Sequence, residues 1–375
     1  MKTESPLKSS KRIVLKIGSS LLVDGKTGRV RHTWLNALAD EIAAAKENGR
    51  DILIVTSGAV AVGRRVLGLP SGKLKLPQKQ AAAAAGQIRL ARCYEEILAE
   101  RGVKVAQILM TLDDSEDRER YLNAGNTLRT LLELGVVPII NENDTVATAE
   151  IKVGDNDRLA ARVAQMAGAD TVVIFSDIKG LYTADPRKDP SAELVRTVEK
   201  VTPEIEAMAG GAGSAVGTGG MATKISAAKL CTEAGAAMII ALGTEMHPLE
   251  RLEKTGECTV FKAVETPVSA RKRWIGGSIK PKGVLVLDAG AIKALHSGKS
   301  LLPAGIKAVK GAFRHGDAVS LESEDGVLLG KGLTAYSSDE ARKIAGRRSA
   351  EIAAVLGYHG CDEIVHRDNL FTEPF

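Results

Sequence analysis

The chain has 375 residues, 44% hydrophobic and 26% charged, with a net charge of +5. That is an ordinary globular composition with room for more than one domain at about 150 residues each. No apolar run approaches the ~20 residues of a membrane span, and the N-terminal segment lacks an apolar signal-peptide core, so a cytoplasmic protein is expected. The four cysteines are scattered without a Cys-x-x-Cys pair and the six histidines show no metal-ligand spacing. This argues against a zinc knuckle or disulfide framework. Residues 1–267 carry 35 basic and 34 acidic side chains, residues 268–280 four basic and no acidic, and residues 281–375 twelve of each. A nucleic-acid-binding protein would spread its excess over a face. Here it is confined to a short stretch, read as a solvated linker.

Strand-like and helix-like patterns alternate through the first 260 residues, which predicts βαβ units and a mostly parallel sheet with helices on both faces. The first strand-like run, residues 13–17, ends in Lys16-Ile17-Gly18-Ser19-Ser20. A lysine at a strand end followed by glycine and two serines can reach phosphate oxygens, although a solvated lysine fits the pattern as well. The second run, 51–56, ends in Thr56-Ser57-Gly58-Ala59 ahead of an apolar helix. Ser57 there could cap the helix and could also join free N–H groups in an anion site, two compatible roles. A long helix is predicted over 79–100, a strand over 103–110 and a further helix over 116–134.

The fourth strand, Val136–Ile140, runs into the most informative stretch of the chain. Residues 141–157 hold five carboxylates, three side-chain amides and one lysine. Such a cluster at the C-terminal end of a buried parallel strand is where an open α/β sheet binds its ligand. Carboxylates and amides side by side suit a small zwitterion. After a helix over 158–167, the strand 171–175 leaves the sheet through Ser176-Asp177 and the turn Asp185-Pro186-Arg187, on which a nucleotide could rest. Residues 210–220 contain six glycines in eleven positions and open a helix near Thr223. Lys224 then falls in the first turn, where a cation is unfavourable unless an anion lies nearby. Lysines, glycine-rich turns and aspartates, without a Ser-His-Asp set, form the kit for phosphoryl transfer. Near residue 268 the rhythm changes to short apolar runs split by turns, which predicts a small β-rich domain.

Lys16-Ile17-Gly18-Ser19-Ser20, Thr56-Ser57-Gly58-Ala59, Asn141-Glu142-Asn143-Asp144, Val153-Gly154-Asp155-Asn156-Asp157, the Asp177–Arg187 loop and Gly217–Lys224 occur in the order seen in the amino acid kinase family. The chain resembles that family over about residues 10–265, and within it the branch that phosphorylates the γ-carboxylate of L-glutamate with ATP. Residues 281–359 resemble a PUA domain. The resemblance implies a three-layer αβα sandwich with a mostly parallel central sheet and a small β-rich PUA pseudo-barrel. It implies a tail over 1–10, a catalytic domain over 11–267, a basic linker over 268–280, the PUA domain over 281–359 and a C-terminal tail over 360–375. Magnesium, feedback inhibition by proline and a homo-oligomer, dimer or tetramer, follow from it too.

Residue by residue, the resemblance implies that Lys16 and Lys224 neutralise the transferring phosphoryl group and that Asp157 orients them. Ser57, Asp144 and Asn156 would hold glutamate, with Asp155 close by. Ser176, Asp177, Thr218, Gly219, Gly220, Met221, Ala222 and Thr223, with both lysines, would hold ATP. No side chain is assigned to the metal. Ser176 departs from the threonine of many members but keeps the hydroxyl. The alternatives are a sister kinase acting on aspartate, acetylglutamate or carbamate, and an RNA-binding role for the PUA domain, which its neutral charge disfavours. A third is a tail that tunes inhibition or assembly.

Overall fold

The computed structural model describes residues 6–147, 155–209, 220–278 and 280–372. It divides into two compact units, the first taking in the residues up to Glu116 with Asn123–Pro267, the second Asp117–Leu122 with Val268–Phe375. The first unit is built on an eight-stranded sheet: β1 (Arg12–Ile17), β2 (Asp51–Val55), β3 (Val105–Met110), β4 (Val137–Glu142), β5 (Thr171–Ser176), β6 (Thr197–Val198), β7 (Ala237–Leu242) and β8 (Cys258–Phe261). Their order is β3-β4-β2-β1-β5-β7-β8-β6. Every pairing is parallel except β7 with β8.

The strand sequences explain this sheet. β1, β4 and β5 are nearly continuous apolar runs, and all six residues of β5 are buried. Strands buried on both faces lack polar alternation, and burying each large aliphatic side chain stabilises the fold by about 1.5–3 kcal/mol. Along β1 the alternate residues Ile13, Leu15 and Ile17 join one core cluster, with Trp34, Leu38 and Ile42 of the helix His32–Glu47. The period-two pleat sends Lys16 to the opposite face. β1 pairs with β2 on one side and β5 on the other. The chain order reverses there, so the crevice at the C-terminal ends of β4, β2, β1 and β5 is the natural ligand site.

Two helices behind that crevice approach closely. Ala59–Val66 and Leu76–Ala99 meet at Gly63 and Gly86. A Cβ on Gly63 would lie 1.7 Å from the Ala82 carbonyl oxygen, and one on Gly86 1.8 Å from that of Ala59. Only glycine lets the backbones come this near.

The second unit carries a five-stranded sheet: β9 (Gly283–Leu287), β10 (Ile306–Gly311), β11 (Ala318–Ser323), β12 (Leu328–Leu333) and β13 (Leu370–Thr372), in the order β10-β9-β11-β12-β13. Three expectations are corrected here. The basic stretch is no solvated linker: Pro267–Ser278 is a helix, and Ile275 on it is fully buried. Arg271 donates to the Asn369 Oδ1 (2.6 Å) and stands over the Tyr121 ring. The C-terminal stretch is no tail either, because Ile364, Val365 and Leu370 are buried and β13 pairs with β12. At the other end, Pro6–Lys8 form a short 3-10 helix whose Leu7 is buried, and Ser10 bonds Thr171.

Candidate active site

The crevice is a cavity of about 680 Å³. Its chemistry begins with Lys16, which the pleat of β1 turns toward the helix Asp155–Ala167. Asp157, in the first turn of that helix, is fully buried. Its Oδ1 lies 2.6 Å from the Lys16 ammonium and its Oδ2 3.1 Å from that of Lys224. Thr223 also donates to the Asp157 Oδ2, at 3.1 Å. Lys224 occupies the first turn of the helix Met221–Glu233, and the carboxylate of Asp157 offsets the dipole conflict expected for a cation there.

The two lysines and the aspartate, all buried, carry a net charge of +1 among the three. Burial lowers the Lys16 pKa, Asp157 opposes that shift, and Lys224 adds to it. Burial alone would raise the Asp157 pKa, but the two lysines hold it below the ordinary carboxylate value. A buried cationic cluster that opens on a cavity favours an anion beside it.

Next to the triad stands a group of amides. The Asn156 Nδ2 donates to the Thr56 carbonyl (2.7 Å), the Ser57 Oγ (2.7 Å) and the Asn141 Oδ1 (3.1 Å). The capping role for Ser57 is thereby overturned: Gly58 is the N-cap of Ala59–Val66, no side chain caps that helix, and Ser57 accepts from Asn156 instead. Gly58 has φ 108°, and a Cβ there would come within 2.9 Å of Val23. Asp144 is buried and lines the same cavity.

Of the residues expected to bind ATP, Lys16, Ser176, Asp177 and Lys224 line the cavity. Ser176 donates to Asp177 (3.2 Å), and Arg187 folds back onto Asp177 at 2.9 Å. That ion pair is exposed and contributes little to stability. Gly220, Met221 and Ala222 stand at the start of their helix but are not among the lining residues, while Thr223 reaches Asp157. Thr218 and Gly219 lie outside the described residues, as does the side chain of Asp155.

The sequence reading missed the basic side of the cavity, formed by Lys26, Arg64, Arg65 and Lys79. Arg64 donates to the Gly72 carbonyl (2.8 Å) and Arg65 to that of Thr27. A pair of arginines in the last turn of a helix looks like ordinary dipole complementation in sequence, so nothing marked them. Among the described residues no three His, Cys, Asp or Glu side chains converge as a metal cage. Nor does any described helix have the length and apolarity to cross a membrane.

Residues 11–241 match the amino acid kinase family and residues 283–356 the PUA domain. The chain is similar to the glutamate 5-kinase of Paramagnetospirillum magneticum strain AMB-1, with 61% identity over 98% of this chain and 100% of that one. It is 57% identical to the glutamate 5-kinase of Rhodospirillum rubrum, over 96% of each chain. In fold, it is similar to a carbamate kinase from Giardia lamblia bound to AMP-PNP, with a TM-score of 0.50, 17% identity, and coverage of 68% of this chain and 99% of that one.

Proposed function

This chain belongs to the amino acid kinase family, and we propose that it transfers the γ-phosphoryl group of ATP to the γ-carboxylate of L-glutamate, giving L-glutamyl 5-phosphate for proline synthesis. The observation that carries the reading is the buried Lys16–Asp157–Lys224 triad opening on the cavity beside Ser57, Asp144 and Asn156. A carboxylate nucleophile is already ionised at pH 7, so the reaction needs no general base. Its difficulty is that two anions must meet. Two ammonium groups at the meeting point offset that repulsion, and Asp157 keeps them together.

In the reaction a glutamate γ-oxygen bonds to phosphorus as the bond from phosphorus to the ADP oxygen breaks. Lys16 and Lys224 neutralise the charge on the group in transit. Asp144 receives the substrate ammonium, and Ser57 and Asn156 hold the amino-acid end. Ser176 and Asp177, with Gly220–Thr223 and the segment before them, serve the nucleotide. Magnesium carried on the ATP phosphates would add charge neutralisation, held chiefly by phosphate oxygens. Proline acts as feedback inhibitor, and the protein works as a cytoplasmic homo-oligomer.

The test is glutamate-dependent acyl-phosphate formation by purified protein, trapped with hydroxylamine, against a panel of aspartate, acetylglutamate and carbamate. Turnover confined to another member of the panel refutes the substrate. Lys16→Ala and Lys224→Ala are expected to lower kcat by orders of magnitude with little change in glutamate binding, and Asp144→Asn to raise chiefly the glutamate KM.

A further inference from the structure

We propose that Gln87, which does not line the cavity, is a positioning residue that sets the amide of Asn156 for the amino-acid substrate; this rests on the glutamate-kinase reading above. Gln87 sits on the helix Leu76–Ala99 and is 9% exposed. Its Oε1 accepts from the Asn141 Nδ2 at 2.7 Å, a bond between two buried side chains 54 residues apart. Asn141 is 2% exposed at the C-terminal end of β4. Its Oδ1 accepts from the Glu142 backbone N–H (2.9 Å) and from the Asn156 Nδ2 (3.1 Å).

The chain of amides has one polarity, because backbone groups fix it at both ends. The Glu142 N–H can only donate, so Asn141 must turn its oxygen to it and its NH₂ to Gln87. The Thr56 carbonyl can only accept, so Asn156 must turn its NH₂ to the protein. This leaves the Asn156 Oδ1 buried and without a partner among the described residues, on a side chain that lines the cavity. An acceptor held in that state suits an N–H donor such as the substrate ammonium.

The same helix reaches the site a second time. Tyr94, fully buried two turns after Gln87, bonds the Thr56 Oγ1 at 2.9 Å, on the residue whose carbonyl receives Asn156. One helix therefore braces the substrate-side amide from β4 through Gln87 and from β2 through Tyr94.

The experiment compares Gln87→Met, Gln87→Asn and Gln87→Glu in the full chain. Methionine removes the acceptor, and asparagine withdraws it by one methylene and stands in if the methionine variant does not fold. Both are expected to raise the glutamate KM about tenfold, the scale for a buried donor that loses its acceptor. The ATP KM and the kcat should stay within about twofold, since the triad is untouched. Gln87→Glu keeps an acceptor oxygen at full reach whether or not it is protonated, and is expected to restore the glutamate KM. A wild-type glutamate KM in the first two variants, equal rises for both substrates, or failure of Gln87→Glu to restore the KM overturns the proposal. If wild-type protein ignores glutamate, the functional reading fails by itself. The variant-to-wild-type KM ratio is then taken with the carboxylate that the panel selects, so the two ideas are judged separately.

Discussion

Replacing Asp157 by asparagine keeps the side chain's shape and removes its charge. In the folded protein that charge sits 2.6 Å from one ammonium and 3.1 Å from another, with no solvent exposure of its own. At an effective dielectric of about 20, the two contacts are roughly 6 and 5 kcal/mol before desolvation. Removing one partner of a buried pair typically costs about 3–5 kcal/mol, because the charge left behind has no compensation. Here two lysines are left facing each other and would move apart. If most of that loss falls on the transition state, kcat drops by roughly 10²–10³, which is about 2.7–4 kcal/mol at 1.36 kcal/mol per decade. The pH profile should move as well. Burial already lowers the Lys16 pKa, and Asp157 is the main group opposing it. Without Asp157 the pKa falls further, Lys16 loses its proton at lower pH, and the alkaline limb of kcat/KM shifts toward neutrality. The hydroxamate assay run across alkaline pH checks both effects. An Asp157→Asn enzyme within threefold of wild-type kcat, with an unmoved alkaline limb, would refute the idea that one carboxylate holds the two cations in place.

Two further predictions concern stability. Burial pushes the Glu41 pKa up to about 7, against the hydrogen bonds it accepts from the backbone of Glu250 (2.7 Å) and Leu249 (3.4 Å) and beside the charges of His247 and Glu250. Because the folded pKa lies above the ordinary 4.5, its contribution is fully present below about 4.5 and is lost as pH rises toward 7. Calorimetric Tm values between pH 5 and 8 should therefore fall more steeply for wild type than for Glu41→Gln, and parallel curves would contradict this. Gly86→Ala should destabilise by about 1–3 kcal/mol or more, since its new methyl would meet the Ala59 carbonyl at 1.8 Å and force the two helices apart. Chemical denaturation measures it, and an unchanged midpoint would show that the interface yields without cost.

The local order of the first unit was written in the chain. Short β-branched apolar runs such as Val137–Ile140 and Thr171–Phe175 suit buried strands, and the polar stretches after them follow from where a parallel sheet ends. The motifs around Lys16, Ser57 and residues 141–147 follow or end β1, β2 and β4, while Lys224 lies in the first turn of the helix Met221–Glu233. Pairing was another matter. That Lys16 and Lys224, 208 positions apart, meet on one carboxylate follows from the strand order, which no local pattern encodes. The sequence also could not separate a basic linker from a helix with a buried Ile275, because the run Arg271-Lys272-Arg273 and the pair Gly276-Gly277 hide a face that only its neighbours define. Gln87 lay inside an alanine-rich helix with no signal at all. Composition and period determine which elements form, since those depend on each residue's own side chain and near neighbours. Which polar groups meet in the interior is decided by packing, because a buried amide or charge takes its meaning from partners that the chain brings to it from far away.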